Sequence, residues 1–436
     1  MAKTCALVAL LLLAVAVPSY AATLEYKDAG TKNLGLSTDW WVITSAADPN
    51  SVTGVTQMPG FNDTACIRNG ETGLTLTNTT LNAKFMSIDS TTPCVAGSEV
   101  VVGSGATLET RSTPGSSTSD NLIIGYRANG TLTVNGGTVK VMDVAGTGGS
   151  RMWLGGRSGV YGNGTLNIYD GLVQVGSIYA GYNNAVGIIN QTGGTLKYIP
   201  STSDAMFLGY SNAGFTGRFE YDLSGTGLFD VGAMQVKLGN GGTGLFNMTG
   251  GSLNSTAGGT SFYMGVGTAN TEFRLLGGRA TIASAIVQTS TSKFVLNQAG
   301  AMSLGWRWAT NSATDTVELR VNSAADFQVT IAGATGLDWN AATTVACVLT
   351  DGYTPTIGQT WKFVDGATGV GNLPSDGFHP DGSRFDFYTY RDGVGAGWAL
   401  YKDTVNNDVR LEYVPEPATM SILVLGGLAL LRRKRS

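Results

Sequence analysis

A short phrase of residues recurs along the middle of the chain and limits what the chain can fold into. Each copy has a few apolar or aromatic residues and a glycine, then a polar loop and a second stretch of alternating apolar residues. The glycines that end the first stretch are Gly125, Gly155, Gly181, Gly209, Gly239 and Gly265, at intervals of 30, 26, 28, 30 and 26 residues. Periods of about 20 to 50 residues are typical of solenoids and propellers, so each copy is expected to form one structural unit.

The second stretch of each copy alternates apolar and polar residues with a period of two. It occupies residues 130–141 and returns at 164–175, 187–198, 244–255 and 271–282, with a longer copy at 217–231. This alternation predicts β-strands, and the glycines between strands allow tight corners. Three short strands and three corners in about 28 residues predict an all-β fold, a right-handed parallel β-helix. An antiparallel β-sandwich or a propeller is the alternative, although propeller blades need about 40 residues or more.

A parallel β-helix stacks equivalent side chains of successive coils into inward columns. The alternation predicts one column of Leu132, Leu166, Ile189, Phe219, Phe246 and Phe273. It predicts a second column of Val139, Val173, Leu196, Phe229, Leu253 and Ala280. Repeats of this kind resemble those of autotransporter passengers and similar surface proteins.

The rhythm of the repeat divides the chain into segments. Residues 100–284 are predicted to form the β-helix repeats, and residues 22–99, with Trp40 and Trp41, an N-terminal cap and early coils. After Ile282 the glycine corners fade, and residues 285–413 are predicted to form a C-terminal β-rich cap that resembles a sandwich. Such caps are expected because the end of a solenoid exposes unpaired strand edges.

Both ends of the chain have sequence patterns that bear on where the protein goes. Residues 1–21 combine Lys3, an apolar stretch and a small-residue cleavage site after Ala21, which is the pattern of a secretory signal peptide. Residues 414–436 contain Pro415, Glu416 and Pro417, then an apolar run and a basic end. The run would span about 21 Å as a helix, which is short against a hydrocarbon core of about 30 Å.

This three-part tail resembles the PEP-CTERM sorting signal of exported bacterial proteins. The resemblance implies transient anchoring in the inner membrane, recognition of the Pro-Glu-Pro motif by an exosortase-like membrane processing enzyme, and delivery to the cell surface or extracellular matrix. An ordinary short C-terminal anchor is the alternative interpretation. The resemblance also implies an association with extracellular polysaccharide or biofilm.

Charge and cysteine content exclude several partners. Without Lys3, the four tail cations and Glu416, the chain keeps 22 basic and 30 acidic residues, a net charge of −8, which argues against nucleic acid as a partner. Cys66, Cys94 and Cys347 remain after the signal peptide, and Cys66 with Cys94 is the favoured disulfide. These cysteines and the single histidine, His379, match no metal-ligand spacing. No metal and no cofactor are predicted.

Aromatic residues occupy positions predicted to point outward. Trp153, Tyr179 and Phe207 lie two residues before a repeat glycine, and Tyr182 and Tyr210 directly follow one. Exposed aromatic surface is typical of binding sites, so these five residues are candidates for glycan binding. The alternative is that stacked rings stabilise the solenoid itself.

Catalysis would need two carboxylates that face each other across a groove. The best cluster is Glu220 with Asp222, followed by Asp230 and accompanied by Lys197 and Arg274. An ordinary charged outer surface explains the same residues, so no catalytic residues are assigned. The sequence therefore predicts a non-catalytic, structural or adhesive surface protein, with a polysaccharide-active hydrolase or lyase on the same scaffold as the alternative.

Overall fold

A computed structural model describes residues 23–26, 32–35, 40–43, 52–56, 58–59, 64–67, 72–88, 97–112, 120–157, 162–200, 205–212, 215–256, 262–267, 270–333, 336–339, 343–365, 385–387, 396–403 and 408–415. Across these residues the regular structure is β throughout, and the strands are numbered β1 to β35 in chain order. Most of them build a parallel β-helix with three faces, named A, B and C. The chain visits the faces in that order on every coil.

Face A is one continuous sheet. In spatial order its strands are β3 (Val52–Thr56), β2 (Trp40–Ile43), β1 (Thr23–Tyr26), β4 (Thr64–Ile67), β7 (Phe85–Ile88), β10 (Asp120–Ile124), β12 (Arg151–Leu154), β14 (Ser177–Ala180), β17 (Ala205–Leu208), β20 (Gln235–Leu238), β22 (Phe262–Met264), β24 (Ile286–Gln288), β27 (Arg307–Thr310) and β30 (Gly336–Trp339). From β1 and β4 onward, all neighbours in this order are parallel.

Faces B and C share several long strands that bend at a glycine. These strands are β11 (Gly130–Asp143), β13 (Gly164–Val175), β21 (Thr243–Ser255) and β23 (Thr271–Ile282). Face B also contains β5 (Leu74–Leu76), β8 (Ser98–Gly103), β15 (Val186–Gln191), β18 (Arg218–Leu223), β25 (Ser292–Asn297), β28 (Thr316–Val321) and β31 (Thr344–Leu349). Face C also contains β6 (Thr80–Ala83), β9 (Thr107–Ser112), β16 (Thr195–Tyr198), β19 (Leu228–Gly232), β26 (Gly300–Leu304) and β29 (Gln328–Ile331).

The inward columns follow the predicted alternation, with one correction. The register aligns Val139, Val173, Leu196, Phe229, Leu253 and Ala280, which confirms the face C column. On face B, however, Tyr221 and not Phe219 aligns with Ile189 and Phe246. Phe219 lies level with Gly187 and Gly244, because Gly217 of this longer copy comes two residues before the position that those glycines occupy. Both rings point inward and are fully buried.

The N-terminal strands cover the first coil. β1 pairs with β4 in parallel and with β2 antiparallel, and β2 pairs antiparallel with β3. Trp40 is fully buried, and its indole Nε1 donates to the carbonyl of Leu34 at 3.0 Å. Buried apolar residues continue without interruption from Leu24 to Tyr413, so the cap and the coils share one core.

The coils continue well past residue 284, which corrects the predicted boundary of the C-terminal cap. β25, β28 and β31 stack in parallel on face B, and β26 and β29 extend face C. Corners here are built differently, which hid them in the sequence. The buried amide of Gln298 accepts from the backbone nitrogens of Asn322 and Ser323 and donates to the carbonyl of Ala325. A side chain thus satisfies the corner backbone where earlier coils use glycines.

The C-terminal cap is a four-stranded antiparallel sheet joined to the last coil. Its order is β32 (Thr360–Val364), β35 (Asp408–Pro415), β34 (Ala396–Asp403) and β33 (Phe385–Phe387). Next to β32, Asp365 forms a parallel bridge with Thr330 of face C. The buried Trp361 donates from Nε1 to the carbonyl of Ser323 at 2.9 Å. The cap is therefore joined to the end of the solenoid by backbone pairing and by a side-chain hydrogen bond.

Candidate functional site

The five aromatic candidates form one interlocked cluster, the aromatic ladder, on the outer side of face A. Trp153 stacks on Tyr179 with ring centroids 4.7 Å apart, and Tyr179 lies 4.8 Å from Phe207. Tyr182 stacks on Tyr210 at 5.4 Å. Edge-to-face contacts join the two rows, because Tyr182 meets Trp153 and Tyr210 meets both Tyr179 and Phe207. The structure thus brings all five predicted residues together.

The ring faces of this ladder are turned toward one another. Tyr179 is enclosed between Trp153 and Phe207, and Trp153 is only 7% exposed. Two cations complete the stack: Arg151 lies over the ring of Tyr179 and Lys237 over the ring of Phe207, each 5.1 Å from the centroid. A sugar ring needs a free aromatic face for stacking, whereas these contacts stabilise the sheet. The geometry therefore favours the alternative weighed from the sequence, a packing role.

A row of polar side chains, the polar ladder, runs along the outer side of face B. The register aligns Thr133, Asn167, Asn190, Asp222 and Asn247. Asn167 donates to Thr133 at 3.3 Å, Asn190 to Asn167 at 2.9 Å, and Asn247 to Asp222 at 2.9 Å. These bonds join the amides of one coil to polar side chains of the next.

The charged cluster predicted around Glu220 is only partly assembled. Glu220 and Asp222 both project outward from β18, and Arg274 lies two strands from Asp222 in the same row. Asp230 and Lys197 instead face each other on face C. Glu220 is held by Arg218 in its own strand. The cluster is thus divided between two faces of the solenoid.

A second charged group on face B was missed by the sequence analysis. Lys293 Nζ lies 2.7 Å from Glu318 and 3.7 Å from Glu272. Lys293 thus links its own coil to the coils on both sides. Arg320 binds Glu318 at 2.9 Å, and Arg274 binds Glu272 at 2.9 Å. The signal was the same period-two alternation, but residues beyond 284 had been assigned to a cap and their register was unknown.

Glu318 is the buried member of this network. Its side chain is 2% exposed. Burial alone would raise the pKa of its carboxyl, but hydrogen bonds from Lys293 and Arg320 outweigh burial, so the pKa lies below the ordinary value of 4.5. A depressed pKa means that the ionised form stabilises the fold above about pH 4.5, and that this stabilisation is lost as the pH falls through the folded-state pKa.

We expect Glu318→Gln to lower the free energy of unfolding by about 3 kcal/mol at pH 7, because two cations lose a buried partner. The difference from the native protein should shrink below pH 4, as Glu318 itself becomes protonated. Urea unfolding at pH 7 and at pH 3.5 measures both effects. Asp365→Asn, in a pair where Asp365 is 57% exposed, should change stability by less than about 0.5 kcal/mol. A constant Glu318→Gln deficit at both pH values would contradict this account.

A groove lies on the outer side of face B beside its corner with face A. Its volume is about 380 Å³, and it crosses β18, β21, β23, β25 and β28. Its floor is a row of aligned residues from neighbouring strands: Glu220, Leu245, Glu272 and Lys293. Thr243, Asn270, Thr291 and Thr314 line the side toward the corner. We call this site the face B groove.

The remaining predicted residues lie in separate places. Among the described residues, Cys66 is a free thiol that lies buried on the outer row of face A, beside Ser87. Its predicted partner, Cys94, lies outside the described residues, so the pairing stays a prediction. Pro415 ends β35, while Glu416, Pro417 and His379 are also outside them. No group of three or more metal-binding side chains occurs in the described part of the chain. Nor does any helix long and apolar enough to cross a membrane occur there.

Comparison with known proteins gives no relative: no protein-family model, no curated protein and no solved structure matches this chain.

Proposed function

We propose that the protein is a non-catalytic, exported component of the bacterial surface or extracellular matrix, with a structural or adhesive role next to extracellular polysaccharide. The observation that carries this proposal is the continuous parallel ladder from β4 to β31, covered by antiparallel strands at both ends. One core runs through all of it. A solenoid of this kind is an extended, rigid body whose side surfaces are large compared with its ends.

The outer surfaces support a structural role. On face A the aromatic ladder packs ring against ring, and on face B the polar ladder joins amides coil to coil. On face B, Glu220, Glu272 and Glu318 are each held by an arginine or a lysine. Most of these side chains thus stabilise neighbouring coils, which suits a surface that must stay rigid outside the cell.

Delivery would use the two terminal signals. Pro415, the first residue of the Pro-Glu-Pro motif, pairs with Ala396 at the start of β34. Two residues earlier, the backbone of Tyr413 exchanges hydrogen bonds with Gly358 and Gln359. The proposed motif therefore begins at the last residue of β35. An exosortase-like enzyme would meet it directly beside the cap sheet, with the inner membrane holding the tail during processing.

We expect the protein to reach the cell surface with its tail removed or exchanged when it is produced in a bacterium that has an exosortase. The mature C-terminus, located by mass spectrometry, should fall near Pro415. In a host that lacks the enzyme, or with Glu416→Ala, the full-length form should accumulate in the inner membrane. Glu99→Gln, on the outer side of β8, should be processed normally. Equal processing in all four cases would contradict the proposed route.

A polysaccharide-active enzyme is the competing function, and one observation favours it. Glu220 and Glu272 line the same groove two strands apart, which places their backbones about 9.6 Å apart at the spacing of neighbouring strands. Inverting glycosidases need a similar separation of carboxyl groups, about 6.5 to 9.5 Å. Against it, each carboxylate is bound by an arginine of its own strand. The test is to measure the release of reducing ends from polysaccharides. Release by the native protein that is lost in Glu220→Gln would show that the protein is an enzyme and would contradict the structural role.

A further inference from the structure

We propose that the face B groove binds an extended, uncharged polysaccharide segment lying parallel to the solenoid axis. This inference rests on the proposed association with extracellular polysaccharide and names the surface that makes the contact. It also moves the contact away from the aromatic ladder, where ring faces are already occupied.

The shape of the groove suits an extended ligand. The groove crosses five neighbouring strands of face B, so its length is about 19 Å at the usual strand spacing. It is open along its top, and its floor presents one outward side chain per coil. A linear chain of sugar rings offers polar groups at a similarly regular interval, so successive rings can meet successive coils. A compact small molecule would fill only part of such a groove.

The polar groups that line the groove suit a ligand rich in hydroxyl groups. Thr243, Thr291 and Thr314 supply hydroxyls that both donate and accept, Asn270 supplies an amide, and Glu272 supplies acceptor oxygens. Carboxylates that accept from hydroxyl groups form charge-assisted hydrogen bonds, which are stronger than neutral ones. A ligand dense in hydroxyl groups satisfies this lining. An extended peptide typically binds by pairing with an unpaired strand edge. The face B strands in the groove are already paired with neighbouring strands, so they offer no such edge.

The charges that line the groove are balanced. Two cations, Arg218 and Lys293, and two carboxylates, Glu220 and Glu272, line the groove, so their charges cancel. Arg218 is paired with Glu220, and Lys293 with Glu272 and Glu318. A polyanion such as a uronic acid polymer would have to displace carboxylates from these cations. The balance favours an uncharged chain.

The floor of the groove contains one apolar side chain, that of Leu245. Leu245 lies between Glu220 and Glu272 in the outward row and is half-buried. An aliphatic side chain here can contact the C–H face of a sugar ring, while the flanking carboxylates accept from the hydroxyls at the ring edge. Leu245 is thus the residue whose replacement by a charge should harm binding most, because the ligand would bury an unpaired carboxylate.

Affinity electrophoresis in gels that contain soluble polysaccharides tests the proposal. The panel holds uncharged glucans, mannans and galactans, and, as a comparison, polymers of uronic acids. The native protein should be retarded by at least one uncharged polymer and less by the polyanions. Leu245→Asp should weaken that retardation at least about tenfold, equivalent to about 1.4 kcal/mol. Glu272→Gln, which is closer in shape to the native residue, should weaken it about fivefold, a difference of about 1 kcal/mol.

The chain offers a matched control. Ile188 occupies the same outward row as Leu245, is half-buried like it, and lies directly beyond Glu220, outside the groove. Ile188→Asp should leave retardation within about twofold of the native protein, a change of less than about 0.5 kcal/mol. Circular dichroism of each variant shows whether the fold is kept, and Glu272→Gln decides the matter if Leu245→Asp unfolds.

Several results would overturn the proposal. They are equal retardation of native protein and Glu272→Gln, stronger binding of polyanions than of uncharged polymers, or loss of binding in Tyr179→Ala while Leu245→Asp binds normally. Absence of retardation by every polymer would also overturn it. That last result would leave the proposed surface role standing if tail processing occurs as expected, so failure of the groove and failure of the proposed function remain distinguishable.

Discussion

Replacing Gly181 by alanine is expected to lower the free energy of unfolding by about 4 kcal/mol. Gly181 follows β14 with φ of +66°, in the left-handed region that side chains disfavour. A Cβ built there would lie 2.2 Å from the carbonyl oxygen of Arg218, which starts the face B strand of the next coil. The obstacle is backbone, so the two coils would have to separate. Urea unfolding followed by circular dichroism measures the loss.

Gly352 supplies the matched control, because it shares the backbone angle but not the crowding. Its φ is +70°, and a Cβ there would meet nothing within 4 Å. Gly352→Ala should therefore cost only the conformational penalty, about 1 kcal/mol. The difference between the two variants, about 3 kcal/mol, isolates the close approach of successive coils. If both variants lost the same stability, the repeat glycines would be needed only for their turn angle.

The same contact explains why the fold could be predicted from glycine spacing. Gly125, Gly155, Gly209, Gly239 and Gly265 also have positive φ and would also place a Cβ within 2.5 Å of an atom of a later segment. Only glycine satisfies both conditions, so the residue must return once per coil. Its spacing therefore gave the length of the coil before any strand pairing was known.

The sequence did not predict the coils past residue 284, where polar side chains take the place of corner glycines. Past residue 284 the corner amides are satisfied by Gln298, and the loop before β28 by the buried Asp315, which accepts from Ser292 and Ser312. A single buried glutamine carries no repeating signal, so the sequence pattern predicts a cap where the structure has further coils. The Phe219 error has a related cause: Phe219 and Tyr221 both point inward, and alternation alone does not say which of them faces Ile189.

The functional surfaces show the same limit. Alternation placed Trp153, Tyr179 and Phe207 in one outward row, and the register agrees. It did not reveal that the rings face one another, because ring orientation depends on side-chain torsions and on the second row that follows the glycines. The Lys293–Glu318 pair was also out of reach, since an ion pair between coils requires the register of two strands 23 to 25 residues apart.

The second large effect concerns Phe273, for which we expect Phe273→Ala to cost about 4 kcal/mol. Phe273 is fully buried in the face B column, with Phe246 on one side and Phe294 on the other, each 4.9 Å away between ring centroids and nearly parallel. Phe262 of the same coil meets its edge at 5.2 Å. Alanine would remove three ring contacts and leave a cavity between two coils.

The position of the cavity determines how the protein unfolds. Each coil of a solenoid is stabilised only by its two neighbours, so a weak coil in the middle separates the two ends energetically. Phe273→Ala should therefore unfold in two steps in urea. The transitions followed by tryptophan fluorescence and by circular dichroism should then no longer coincide. The comparison is Tyr263→Ala, in the same coil but on the outer row of face A and half-buried. That variant should lose about 1 kcal/mol and keep a single transition; a single transition in Phe273→Ala as well would mean that cooperativity extends beyond neighbouring coils.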